Sequence, residues 1–428
     1  MPEALSSGLS VHAEIVNCLA PAAGAKKDHP ICEDTSVTYA EFQTKPEPEP
    51  LRLADLETPC LLLDADCMDR NIARLRQRLD ALGVSLRPHL KTAKSVDVAR
   101  RVMSSAAGPA TVSTLKEAEY FAAAGVRDMI YAVGIAPGKL DKVLQLRQKD
   151  VDIAVVLDTV EQAQAVAAAS RAAGQAIPAL IEIDCDGHRS GILPGDAASL
   201  LAIAQALTDG AELRGVLTHA GASYGARTEQ ALIEAAAQER RAVVQAAETL
   251  RAAGHACPVV SLGSTPTAHF ATDLTGVSEV RAGVFVFFDL VMTGIGVCTV
   301  DDIALSVMAT VIGHQREKGW ILVDAGWMAM SQDRGTAKQP VSQGYGLVCD
   351  STGTPFGDII LADANQEHGI VTVRPGSGAT LPDLKIGDRV RILPNHACAT
   401  GAQHGSYRVV RGTSDIVEAN WQRFGGWS

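Results

Sequence analysis

The chain has 428 residues, 47% apolar and 20% charged, a globular composition with room for two or three domains that excludes the disordered and fibrous classes. A formal net charge of −11 argues against nucleic acid or an anionic membrane as partner, and no apolar run reaches the roughly 18 residues a bilayer span requires. Nine cysteines without framework spacing read as free thiols in a reducing, cytoplasmic compartment.

In chain order, residues 1–50 are polar and end in Lys45-Pro46-Glu47-Pro48-Glu49-Pro50, a stiff, extended linker. The segment lacks a basic start followed by a long apolar core, and it contains no arginine. Neither a secretory signal nor a mitochondrial transit peptide is expected, and the segment reads as a flexible extension. Residues 51–295 carry short apolar or β-branched runs at 84–90, 110–114, 129–133, 153–157, 179–184, 213–218, 259–262 and 277–281. Alanine-rich stretches with helical periodicity lie between them, at 115–124, 160–173 and 229–253. Eight strands, each followed by a helix or loop, predict a parallel α/β barrel. An open doubly wound sheet would show a glycine-rich phosphate turn after its first strand, and none is present. Over residues 296–428 the helices thin out, and runs at 303–312, 320–323, 368–373 and 389–393 predict an all-β domain. The run Cys60-Leu61-Leu62-Leu63-Asp64 is one strand too many for the barrel and is expected to pair with that second domain.

Barrel chemistry sits at the carboxyl ends of the strands, and polar residues collect there. They are His89 and Lys91, then Thr114, then Asp186, His188 and Arg189, then His219 and Tyr224, then Gly263-Ser264-Thr265, and last Gly283 after the eighth strand. An extended backbone over 84–91 would send Ser85, Arg87, His89 and Lys91 to one face. An amine among cations at the end of a buried strand suits a Schiff base with a carbonyl cofactor; taken singly, the pattern also fits an ordinary surface lysine. Gly263-Ser264-Thr265-Pro266-Thr267 offers small residues and free amides just before a helix, which suits a phosphate monoester as well as a plain capped turn. Gly283 would add one more amide. A Schiff-base lysine beside a phosphate site implies pyridoxal 5′-phosphate.

The second constellation is Pro394-Asn395-His396-Ala397-Cys398. On an extended strand, His396 and Cys398 would face the same side and could share a divalent ion such as zinc. Two ligands are too few for a closed structural site, so water or substrate would complete the coordination. The alternative is a buried cysteine near a core histidine. Glu367 and His368 are further polar candidates that the sequence leaves undecided.

These residues lie within RPHLKTAKS (87–95), EIDCDGHRSGI (182–192), LTHAGASY (217–224), GSTPT (263–267), EVRAGVFVFFD (279–289), DAGWMAMSQDRG (324–335), ANQEHGI (364–370) and LPNHACATGAQ (393–403). From about residue 55 onward the chain resembles the D-threonine aldolase and D-serine dehydratase group of fold-type III, alanine-racemase-like enzymes. The resemblance implies Lys91 as the Schiff-base residue, with Arg189, Tyr224, Ser264, Thr265 and Gly283 around pyridoxal phosphate. It also implies His396 and Cys398 as ligands of zinc, manganese, cobalt or magnesium, and a homodimeric assembly. Phe285 stands where relatives often carry tyrosine, which removes one phosphate contact.

The resemblance implies a lyase acting on small 3-hydroxy-D-amino acids. Dehydration to a 2-oxo acid and ammonia is favoured, because dehydratase-like members carry His-x-Cys where aldolases tend to carry His-x-Asp. Retro-aldol cleavage to glycine and an aldehyde is the alternative. A racemase has no use for the metal pair. A non-catalytic carrier of the cofactor would usually lack the β-domain.

Overall fold

A computed structural model describes residues 50–426, so the extension expected over 1–50 lies, apart from Pro50, outside the described residues. In chain order the strands are β1 (Cys60–Asp64), β2 (Ser85–Pro88), β3 (Ala110–Val112), β4 (Asp128–Gly134), β5 (Asp152–Leu157) and β6 (Pro178–Ile183). They continue with β7 (Glu212–Thr218), β8 (Val259–Leu262), β9 (Glu279–Ala282), β10 (Leu305–Gln315), β11 (Trp320–Val323) and β12 (Gly346–Cys349). The last are β13 (Pro355–Ala364), β14 (Gly369–Val373), β15 (Arg389–Pro394), β16 (Ser406–Val410) and β17 (Ala419–Gln422).

Strands β2 to β9 form one parallel sheet in the order β2-β9-β8-β7-β6-β5-β4-β3. A parallel bridge between His89 and Thr111 brings its two edges together, with the Leu90 amide donating to the Thr111 carbonyl at 2.9 Å. The result is a nearly closed eight-stranded α/β barrel. Its strands are buried on both faces, which is why Pro178–Ile183 is buried throughout and the 152–157 run is almost continuously apolar. Several of the crossover helices start at a polar cap. Thr114 caps Leu115–Ala123, Thr159 caps Val160–Ala173 and Thr228 caps Glu229–Ala252, each side-chain oxygen accepting a first-turn amide. Thr114 therefore serves its helix, not the cavity.

The remaining strands form a nine-stranded sheet in the order β11-β14-β13-β12-β15-β10-β1-β16-β17, and a further β10–β11 pairing closes six of them into a ring. Strand β1 lies between β10, antiparallel, and β16, parallel, before the chain enters the barrel. One hydrophobic core runs through both parts, from Leu61 and Met68 through Val155 and Phe287 to Val390 and Tyr407. The change of architecture near residue 296 is thus not a break in packing. Among the described residues, no helix is long and apolar enough to cross a membrane.

Candidate active site

The extended path expected over 84–91 ends early. The chain leaves β2 at Pro88 and turns over residues 90–93, where the Lys94 amide donates to the Leu90 carbonyl at 2.8 Å. Arg87 stays inside the barrel, its guanidinium held by Glu279 and Asp128, both at 2.7 Å, so it takes no part in the cavity. The turn is gripped from the β-domain. The Tyr407 hydroxyl donates to the Ala93 carbonyl and the Phe424 amide to the Lys94 carbonyl, each at 2.6 Å. That grip presents Lys91 to a cavity of about 400 Å³ at the carboxyl end of the barrel.

Lys91, Arg189, Tyr224, Ser264, Thr265, Gly283, His396 and Cys398 all line this one cavity. The backbone at Gly263 has a φ of +139°, and a Cβ there would come within 2.1 Å of the Arg281 carbonyl oxygen. The Ser264 hydroxyl accepts from the Thr267 amide at 3.2 Å and lies 3.0 Å from Ser223 Oγ, which ties this loop to the one carrying Tyr224. The buried Thr265 hydroxyl has no hydrogen-bond partner. At Gly283 a Cβ would press on Thr92 Oγ1 at 3.1 Å and His89 Cβ at 3.3 Å. Phe285 is fully buried and does not line the cavity.

Burial dominates the electrostatics of the floor. It holds His219 at about 3, with the nearby cations adding to the effect of burial, while Nδ1 lies 2.9 Å from the Gly263 carbonyl oxygen. His89 is likewise driven well below the imidazole range by burial and by Lys91, Arg281 and His219. Arg281 is lowered to about 10 by burial, opposed by Glu279, Glu239 and Glu182. Burial also raises the Tyr224 hydroxyl and the Glu182 carboxyl. Two imidazoles held low by burial therefore share the cavity with Lys91.

The His396–Cys398 pair converges by a route other than a strand. Strand β15 stops at Pro394, His396 precedes a short helix, Ala397–Gly401, and Cys398 sits in its first turn. The Ala397 amide donates to Asp289 Oδ2 at 3.0 Å. Asn395 is fixed by Thr336 Oγ1 at 2.6 Å and by the Gly344 carbonyl at 2.7 Å. Asp333 Oδ2 lies 2.6 Å from His396 Nδ1, which leaves Nε2 as the ring nitrogen available to Cys398 or an ion. Against the lowering effect of burial, Asp333 and Cys398 raise His396 to about 11. For Cys398 burial favours the thiol, but hydrogen bonds with His396 and Thr92 and the charges of His396 and Lys91 outweigh it and lower the group.

The donor set suits a divalent ion: a thiolate, and an imidazole whose second nitrogen is engaged by a carboxylate. Among the described residues no group of three or more His, Cys, Asp or Glu could hold a metal, so water or substrate would fill the other positions. The cavity also fits a phosphorylated aldehyde, with an amine on one wall and a small-residue loop bearing an orphaned hydroxyl on another. Glu367 and His368 are exposed and take no part. Sequence reasoning missed Asp333, Asp289 and Glu182 as cavity residues, while Arg281 was noted only as the end of the eighth strand. Asp186 and His188 hold loops instead: Asp186 Oδ2 accepts the Ala222 amide at 2.8 Å, and His188 packs on Gly221.

Residues 63–291 match the alanine racemase N-terminal domain, and residues 304–410 match the putative serine dehydratase domain. The chain belongs to the fold-type III, alanine-racemase-like family of enzymes that depend on pyridoxal phosphate. It is 55% identical to D-threo-3-hydroxyaspartate dehydratase of Delftia sp. (strain HT23), over 88% of this chain and 99% of that one. The solved structure of that enzyme superposes with a TM-score of 0.85, covering 88% of this chain and 100% of the other. A cysteine-to-alanine variant of it has been solved in a metal-free form. D-Serine dehydratase of Dictyostelium discoideum is 28% identical over 85% of this chain and 96% of its own. D-Threonine aldolase of Arthrobacter sp. is 30% identical over 86% and 93%.

Proposed function

We propose that this chain is a lyase dependent on pyridoxal phosphate and a divalent metal, which dehydrates a 3-hydroxy-D-amino acid to a 2-oxo acid and ammonia. One observation carries the reading: a single cavity is lined by Lys91, the Ser264-Thr265 loop and the His396–Cys398 pair. D-threo-3-Hydroxyaspartate is the first candidate substrate and D-serine the second, after the named relatives.

In this reading Lys91 anchors the cofactor and takes the Cα proton. Ser264, Thr265 and Gly283 receive the phosphate, and Arg189 and Tyr224 contact the cofactor from the rim. His396 and Cys398 hold the ion, zinc being the metal their imidazole and thiolate suit best, with manganese, cobalt and magnesium as the other candidates. Pyridoxal phosphate supplies the electron sink for charge released at Cα, and the ion supplies Lewis acidity toward a β-hydroxyl. Neutral His89 and His219 leave Lys91 as the acid–base group nearest the cofactor. A cytoplasmic homodimer belongs to the same reading and rests on the family resemblance.

Retro-aldol cleavage is the second reading, and the aldolase relative at 30% identity keeps it open. Incubation of metal-loaded protein with D-threo-3-hydroxyaspartate, D-serine and D-threonine, with products identified by mass, separates the two. A 2-oxo acid with ammonia supports the proposal, and glycine with an aldehyde rejects it.

A further inference from the structure

The long helix Glu229–Ala252 turns one carboxyl inward beneath the cavity. Glu239 is wholly buried, and its Oε1 accepts the Ala220 amide at 2.8 Å and the Gly263 amide at 3.1 Å. Ala220 opens the turn Gly221–Gly225 that carries Tyr224, and it directly follows His219. Gly263 opens the Ser264-Thr265 loop. Two other buried carboxylates of the barrel, Glu279 and Glu117, answer charged side chains, Arg87 at 2.7 Å and Lys94 at 3.1 Å. Glu239 instead binds main-chain donors from two neighbouring loops.

We propose that Glu239 is a positioning residue that sets the spacing between the Tyr224 turn and the Ser264-Thr265 loop, and so shapes the seat of the cofactor from outside the cavity. Burying a carboxyl is costly unless its hydrogen bonds repay the lost solvation. Here a single oxygen satisfies two amides, one from each loop. Two further ties run in parallel, His219 to the Gly263 carbonyl at 2.9 Å and Ser223 to Ser264 at 3.0 Å. Burial raises the Glu239 carboxyl to about 7 against the hydrogen bonds and the Arg281 charge that favour its ionised form. Acceptance by one oxygen is therefore the property that matters, and a glutamine carbonyl can reproduce it.

The inference rests on the cofactor reading above, and its test separates the two. Cofactor dissociation constants and visible circular dichroism of the bound cofactor are measured for wild type, Glu239→Gln and Glu239→Leu. Glu239→Gln should bind pyridoxal phosphate within about threefold of wild type, with an unchanged dichroic band. Glu239→Leu, which fills the volume but leaves both amides unpaired, should bind about tenfold or more weakly with an altered band. Leucine within threefold of wild type, or glutamine as weak as leucine, overturns the proposal. Should the leucine variant not fold, Glu239→Asp decides: its withdrawn carboxylate should weaken cofactor binding severalfold, and an unchanged constant and band would refute the role. Wild type that binds no pyridoxal phosphate at all would instead refute the cofactor reading.

Discussion

Replacing Asp333 with alanine isolates what the second contact of His396 contributes. The carboxylate sits 2.6 Å from Nδ1, so it fixes both the tautomer and the ring plane and leaves Nε2 to face the ion. Loss of such a partner typically weakens metal binding by about 10- to 100-fold. The His396 and Asp333 side chains are 41% and 36% exposed, so solvent screens the pair and the lower part of that range applies, about 10- to 30-fold. Asp333→Asn keeps an acceptor oxygen at the same place and should lose less. Competitive titration of metal-free protein against a chromophoric zinc chelator measures the constants directly. Cofactor content, read from visible absorbance, should stay at the wild-type level in both variants. An alanine variant binding zinc within twofold of wild type would refute the assignment of His396 as an oriented ligand.

Lys91→Ala should abolish covalent attachment of the cofactor and all turnover; borohydride reduction of wild type and peptide mapping should place the label on the peptide containing Lys91. Gly263→Ala places a Cβ 2.1 Å from the Arg281 carbonyl oxygen at a φ of +139°, so it should destabilise the fold by about 3 kcal/mol or more, read as a lower Tm. Burial holds His269 at about 4, against an ordinary value of 6.5. The unfolded chain then binds the extra proton between those values, so stability present above pH 6.5 is lost as pH falls toward 4. His269→Gln should flatten that decline in Tm, and an unchanged pH profile would count against a neutral, buried imidazole.

The residues that sequence could mark were those whose chemistry is local. Gly263-Ser264-Thr265 and His396-x-Cys398 are short motifs, and the alternation of apolar runs with capped helices gave the barrel its strand count. Geometry imposed from a distance was not legible. The turn after Pro88 exists because Tyr407 and Phe424 hold the carbonyls of Ala93 and Lys94, and nothing within 84–91 announces partners more than 300 residues away. For the same reason the strand expected through His396 and Cys398 gives way to a short helix, with Asp289 taking the Ala397 amide. Asp333 meets His396 across 63 residues of sequence, and Glu239 reaches its two amides from the interior of a helix whose periodicity marks only its apolar face.

Dehydration and aldol cleavage differ first in which bond at Cα breaks. If Lys91 takes the Cα proton, D-threo-3-hydroxyaspartate deuterated at Cα should release ammonia and oxaloacetate with a primary kinetic isotope effect. Aldol cleavage leaves that bond intact. The most direct measurement is therefore the rate of ammonia release from protiated and deuterated substrate, with glycine quantified in the same samples. The account predicts slower ammonia release from the deuterated substrate and no glycine; stoichiometric glycine with equal rates would contradict it.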